Sequence, residues 1–129
     1  MKKLLCLLTM LLFTTLSFAQ DVFYLRAEAF QAGKKNYYKE IIWDESTQTS
    51  CDILIKLEET KAVIYSKETQ VYHVISYKGK ENGVSKWFCS DAEGRKCNIY
   101  LTYLEEYPDK LGVVVEFSDY AWFYVCRKN

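Results

Sequence analysis

Cys51-Asp52-Ile53-Leu54-Ile55-Lys56-Leu57 sets an apolar row (Cys51, Ile53, Ile55, Leu57) against a mixed one (Asp52, Leu54, Lys56). In an extended chain successive side chains point to opposite sides, so this period of two marks a strand with one face on a core. The pattern continues downstream. Glu58-Glu59-Thr60 leads into a short strand over Ala62-Val63-Ile64-Tyr65. Val71, His73, Ile75 and Tyr77 then alternate with Tyr72, Val74 and Ser76, and Lys78-Gly79-Lys80-Glu81-Asn82-Gly83 ends that strand with turn chemistry. Trp87-Phe88-Cys89 enters another hairpin, whose return strand carries Cys97, Ile99, Leu101 and Tyr103. Leu111, Val113, Val115 and Phe117 follow, and Ser118-Asp119 turns the chain into Tyr120-Ala121-Trp122-Phe123-Tyr124-Val125-Cys126.

Upstream of residue 51, Val22 to Phe30 reads as a first strand on its Val, Phe and Tyr content. Tyr37 to Trp43 reads as a further short strand, and Asp44 to Ser50 as a polar loop. Pro108 is the only proline and the five glycines are scattered singly, so no linker divides the chain. About eight strands joined by short connections predict an all-β domain, an antiparallel up-and-down meander forming a closed or half-open barrel. The alternative is a two-sheet β-sandwich.

The beginning of the chain reads differently. Met1-Lys2-Lys3 precedes the apolar run Leu4 to Phe13, and Ser17-Phe18-Ala19 supplies small residues three apart. That is the pattern of a signal peptide, residues 1–19, with an apolar run too short for a bilayer, which takes roughly 20 residues. Cleavage after Ala19 would leave residues 20–129 as a single secreted β-domain with no membrane span. Cys6 lies within the apolar run and not after a small-residue cleavage site, which argues against lipoprotein processing. The Lys-Lys start and the Ala19-Gln20 junction resemble export signals of Gram-negative bacteria, which implies the periplasm or the extracellular space.

Cys51, Cys89, Cys97 and Cys126 remain after cleavage, and an even set in an exported protein predicts disulfides. Cys89 and Cys97 flank the turn-forming Ser90 to Lys96. A hairpin folded about Glu93 sets them opposite each other, about 4.5 Å apart at Cα in a non-hydrogen-bonded pair. Cys51 and Cys126 are then left to tie the last strand to an early one. No Cys-x-x-Cys occurs and His73 is the sole histidine, so zinc lacks its usual ligand spacing.

Several functions lose their residues at this level. With Lys2 and Lys3 gone, the mature domain holds 15 basic against 17 acidic residues, which is no polyanion-binding surface. His73 is in phase with Val71, Ile75 and Tyr77, where a packed histidine is expected, not a general base. The acid pairs Asp44-Glu45, Glu58-Glu59 and Glu105-Glu106 are chain neighbours, which on a strand face opposite ways. Ser90-Asp91-Ala92-Glu93-Gly94 lacks the alternating oxygen ligands and downstream glutamate of a calcium loop. No phosphate loop, dinucleotide fingerprint or nucleophile elbow occurs, so the sequence implies no cofactor and names no catalytic residue.

Aromatic content is the distinctive feature. The chain has three Trp, eleven Tyr and seven Phe, of which only Phe13 and Phe18 lie in the leader. Alternation puts Tyr120, Trp122 and Tyr124 on one face of the last strand and Ala121, Phe123 and Val125 on the other, so one bulky row is a candidate binding face. The sequence therefore predicts an exported, noncatalytic binding or structural domain whose partner is a glycan, an apolar small molecule or another exported protein. The alternatives are a secreted carboxylate-based hydrolase and an exported inhibitor or envelope structural protein.

Overall fold

A computed structural model describes residues 22–129, all β and turn. The expected leader and its cleavage site lie outside the described residues. Eight strands run in order: β1 (Phe23–Lys35), β2 (Ile41–Leu57), β3 (Lys61–Ile64), β4 (Gln70–Glu81), β5 (Val84–Ser90), β6 (Lys96–Tyr103), β7 (Leu111–Glu116) and β8 (Tyr120–Lys128). Each pairs antiparallel with the next, and β8 returns to pair with β1 from Leu25↔Lys128 to Lys34↔Tyr120. The meander is a closed barrel, and the sandwich alternative is excluded.

Alternation explains the closure. Leu25, Ala27, Ile55, Leu57, Ile64, Cys89, Cys97, Ile99, Val113, Val115 and Cys126 are all buried and point inward. The outer face carries charges such as Arg26, Asp52, Lys56 and Glu116. This is the reverse of a lipid-embedded barrel, which turns apolar residues outward and polar ones to the lumen.

Three local expectations are corrected. Asp44 to Ser50 is not a separate loop but part of β2, where the register jumps between Phe30↔Thr49 and Ala32↔Asp44. Side-chain hydroxyls replace ladder bonds across this irregularity: Thr47 Oγ1 accepts the Ala32 N–H at 2.8 Å and donates to the Asp44 carbonyl at 2.6 Å. Tyr37 to Trp43 is likewise not a separate strand. Residues 36–40 form the β1–β2 turn, in which Asn36 Oδ1 accepts the N–H groups of Tyr38 and Glu40, and Lys39 takes a φ of 64°.

The third correction concerns β4. Tyr72 is buried and its neighbour His73 is exposed, so the inward set is one residue out of step with the expected Val71, His73, Ile75. His73 is no packed core residue; it stands on the outside of the barrel. Two bulges, between Val74 and Ser76 and between Tyr77 and Gly79, then shift the phase again. Gly79 accommodates the second with a φ of 87°, and Asn82-Gly83, at 53° and 79°, closes the β4–β5 hairpin as a two-residue turn with both φ values positive.

Candidate functional site

The barrel has two mouths. One is ringed by the start of β1, the β2–β3 and β4–β5 turns, the β6–β7 loop and the end of β8. The other is ringed by the β1–β2, β3–β4, β5–β6 and β7–β8 connections.

At the first mouth a cavity of about 460 Å³ is floored by Leu25, Leu101, Leu111 and Ser85. Its walls are Phe23, Tyr77 and Tyr103, all half exposed. Each wall residue is the outermost member of an inward row that continues into the core: Phe23 above Leu25, Tyr103 above Leu101, and Tyr77 beside its register partner Trp87. Trp87 braces the walls, with ring centroids 5.1 Å from Tyr77 and 6.4 Å from Phe23. The bulges in β4 matter here. They bring Tyr77 opposite Trp87 and Lys80 opposite Ser85, so both face the cavity. Lys80 and Lys128 line the rim, and no acidic side chain does.

The second mouth holds a wider, shallower cavity of about 580 Å³ with both signs of charge on its walls, from Lys67, Glu68, Asp91, Glu93 and Arg95. Volume alone would favour it, but its lining does not. Ligand pockets are mostly apolar with few, placed polar groups, as at the first mouth. Arg95 is already committed at the second: it binds Asp91 at 2.7 Å and Glu93 at 3.1 Å and caps the Phe117 ring at 5.5 Å.

The expected aromatic row is found here, pointing inward. Tyr124 is buried against Phe30, with ring centroids 5.4 Å apart, while Tyr120 and Trp122 are half-buried in a cluster with Phe117, at 4.9 and 5.4 Å. Tyr124 is packed in the core, while Tyr120 and Trp122 stand half-buried at the second mouth, where Trp122 lines the cavity together with Phe117 and Tyr72. The opposite row is covered, since Phe123 packs on Trp43 at 5.7 Å.

Three of the acids are held by nearby donors. Glu58 pairs with Lys56 at 2.7 Å, and Asp44 bonds the N–H and hydroxyl of Ser46. Asp91 accepts from the N–H groups of Glu93 and Arg95 as well as from the Arg95 guanidinium. Desolvation opposes it, but these donors together hold its carboxyl below the usual range. A catalytic acid in a glycosidase-type site needs the opposite shift. The Ser90 to Gly94 segment is thus a turn capped by Asp91.

The four cysteines among the described residues, Cys51, Cys89, Cys97 and Cys126, are free thiols, so the two expected bridges are not present. Cys89 and Cys97 are register partners, both buried. Asp91 N–H bonds the Arg95 carbonyl, and two residues further along the ladder Cys89 and Cys97 again form a hydrogen-bonded pair. Their Cα spacing is then about 5.5 Å and not the expected 4.5 Å, still within disulfide reach. Cys51 and Cys126 flank β1 from opposite sides, on β2 and β8. Two strand spacings amount to about 9.5 Å, beyond the 7 Å limit for a bridge without backbone movement. Burial pushes the Cys89 thiol up to about 11 and those of Cys97 and Cys126 up to about 12, which keeps them protonated at neutral pH.

Sequence reasoning missed Phe23, Tyr77, Lys80, Ser85, Tyr103 and Lys128. Pairing consecutive hairpins on paper brings Phe23, Leu101 and Tyr103 to one end of a barrel. Tyr77 and Lys80 were hidden because their direction depends on two bulges. The chain matches no protein-family model, no curated protein and no solved structure, which leaves the mouth's own chemistry as the guide to function.

Proposed function

We propose that this is an exported, noncatalytic protein that binds a small apolar molecule at the first mouth of its barrel. One observation carries the reading: a closed eight-stranded barrel has a packed interior, yet at one end three aromatic side chains stand half exposed around a floor of Leu25, Leu101 and Leu111. Barrel mouths are favoured ligand sites, and aromatic walls supply apolar area with little entropy to lose. The glycan reading draws less support, because Tyr124 is packed in the core and the cavity that Trp122 lines is shallow, with Arg95 at its wall already paired to Asp91 and Glu93. Export rests on the leader pattern of residues 1–19. In an oxidising compartment Cys89 and Cys97 form the one bridge that the register permits.

The test is thermal unfolding of residues 20–129 with a neutral apolar fluorophore such as 1-aminoanthracene. A ligand at 100 times its Kd adds about 2.7 kcal/mol of apparent stability. Binding that vanishes in Tyr77→Ala and Tyr103→Ala supports the site; binding that both variants retain contradicts it.

A further inference from the structure

We propose that the first mouth prefers anionic amphiphiles, the tail against Leu25, Leu101 and Leu111 and the charged head at a collar set by Lys80 and Lys128. The inference rests on the mouth being the ligand site and names what that site selects.

Several cations lie toward this end of the barrel, and Lys61, Lys78 and Lys86 have no carboxylate partner among the described residues but stand outside the cavity lining. Lys56 is held by Glu58 at 2.7 Å, while Lys110 and Arg127 share Glu28 at 2.8 and 3.1 Å. Lys80 and Lys128 have no carboxylate partner among the described residues, and these are the two that line the cavity. Lys80 lies 5.7 Å from the centroid of the Tyr103 ring, so its ammonium rests on a wall of the mouth and not in open solvent. Lys128 is the register partner of Leu25, which floors the cavity.

In an eight-stranded ring β4 and β8 are four places apart, so the two lysines are anchored on opposite sides of the opening, with the Lys80 ammonium reaching Tyr103 at the end of β6. One carboxylate need not touch both. A head group at the rim meets one ammonium and feels the field of the other; no acidic side chain lines the cavity, and the α-carboxylate of Asn129 in residues 20–129 is the one negative group there, which the two ammonium groups outweigh. An apolar floor beneath a positive collar complements a chain with a negative head. It disfavours a cationic head and is indifferent to a neutral one beyond the tail's contribution.

Dodecanoate, dodecanol and dodecyltrimethylammonium, kept below micelle formation, are the probes, with affinities read by isothermal titration calorimetry of residues 20–129. Because both lysines are exposed and salt-screened, dodecanoate is expected to bind about five- to tenfold more tightly than dodecanol at low ionic strength. The preference should shrink as salt is raised. In the Lys80→Gln/Lys128→Gln double variant it should disappear with dodecanol binding unchanged, and each single variant should lose part of it. Equal binding of dodecanoate and dodecanol, tight binding of the cationic amphiphile, or a preference that survives in the double variant overturns the charge selection and leaves the mouth reading standing. If none of the three binds, both readings fall.

Discussion

The indole of Trp43 lies directly on the bare backbone of Gly33, its register partner across β1 and β2: a Cβ added to Gly33 would come within 2.8 Å of the indole Cε3. The same added carbon would meet Ile41 Cγ2 at 2.9 Å and the Ile42 carbonyl at 3.1 Å. Glycine is required because an aromatic ring from the neighbouring strand occupies the space of its side chain. Gly33→Ala is expected to cost about 1–3 kcal/mol through overpacking, visible as a lower urea midpoint with an unchanged slope. A midpoint at or above that of the parent would show that the ring moves freely.

The interior offers a sharper contrast. Ile99 is fully buried on β6, while Tyr103 at the end of the same strand is half exposed. Ile99→Ala should lose about 2–5 kcal/mol, and Tyr103→Ala should stay within about 0.5 kcal/mol while weakening ligand binding. Chemical denaturation of the two variants, followed by the fluorophore titration, separates the scaffold from the site.

Oxidation should select one cysteine pair. Protein recovered from an oxidising compartment is expected to gain the mass of two hydrogens on reduction, with the Cys89–Cys97 peptide pair linked and Cys51 and Cys126 open to alkylation after unfolding. A gain of four hydrogens would mean that β2 and β8 come closer than their separation by β1 allows.

Stability should fall on both sides of neutrality. Burial raises Tyr100 and Tyr124 from 10.0 up to about 12, and in the reduced protein raises Cys97 and Cys126 from 9.0 up to about 12. The folded state holds protons that the unfolded chain gives up, so this stability is complete below about pH 9 and is lost as pH rises toward 12. Asp91 works in the other direction. Its lowered carboxyl contributes stability above the ordinary value of 3.8 that is lost as pH falls through and below it. Asp91→Asn should flatten the acid limb of a urea-midpoint profile and leave the alkaline limb in place.

The barrel was legible because alternation survives through Ile53-Ile55-Leu57, Ile99-Leu101 and Val113-Val115, where one-sided burial leaves no other extended register. The Cys89–Cys97 opposition was legible for the same reason, since a five-residue turn fixes the ladder around it. The face of β4 was not. Tyr72 and Val74 compete with Val71 and Ile75 as an apolar row, and only pairing with β3 and β5 decides between them. The continuity of β2 through Asp44 to Ser50 was hidden because hydroxyl bonds from Thr47, invisible in hydropathy, carry the strand across its register jump. The site was least legible, since its walls come from β1, β4 and β6 and meet only on closure.

Backbone amide shifts of isotope-labelled residues 20–129, recorded while dodecanoate is titrated in, test the binding site most directly. Perturbations concentrated at Phe23, Leu25, Tyr77, Ser85, Leu101 and Tyr103, with Asp91, Phe117 and Trp122 still, are the expected result. Shifts centred on Asp91, Phe117 and Trp122, or none at saturating ligand, would contradict it.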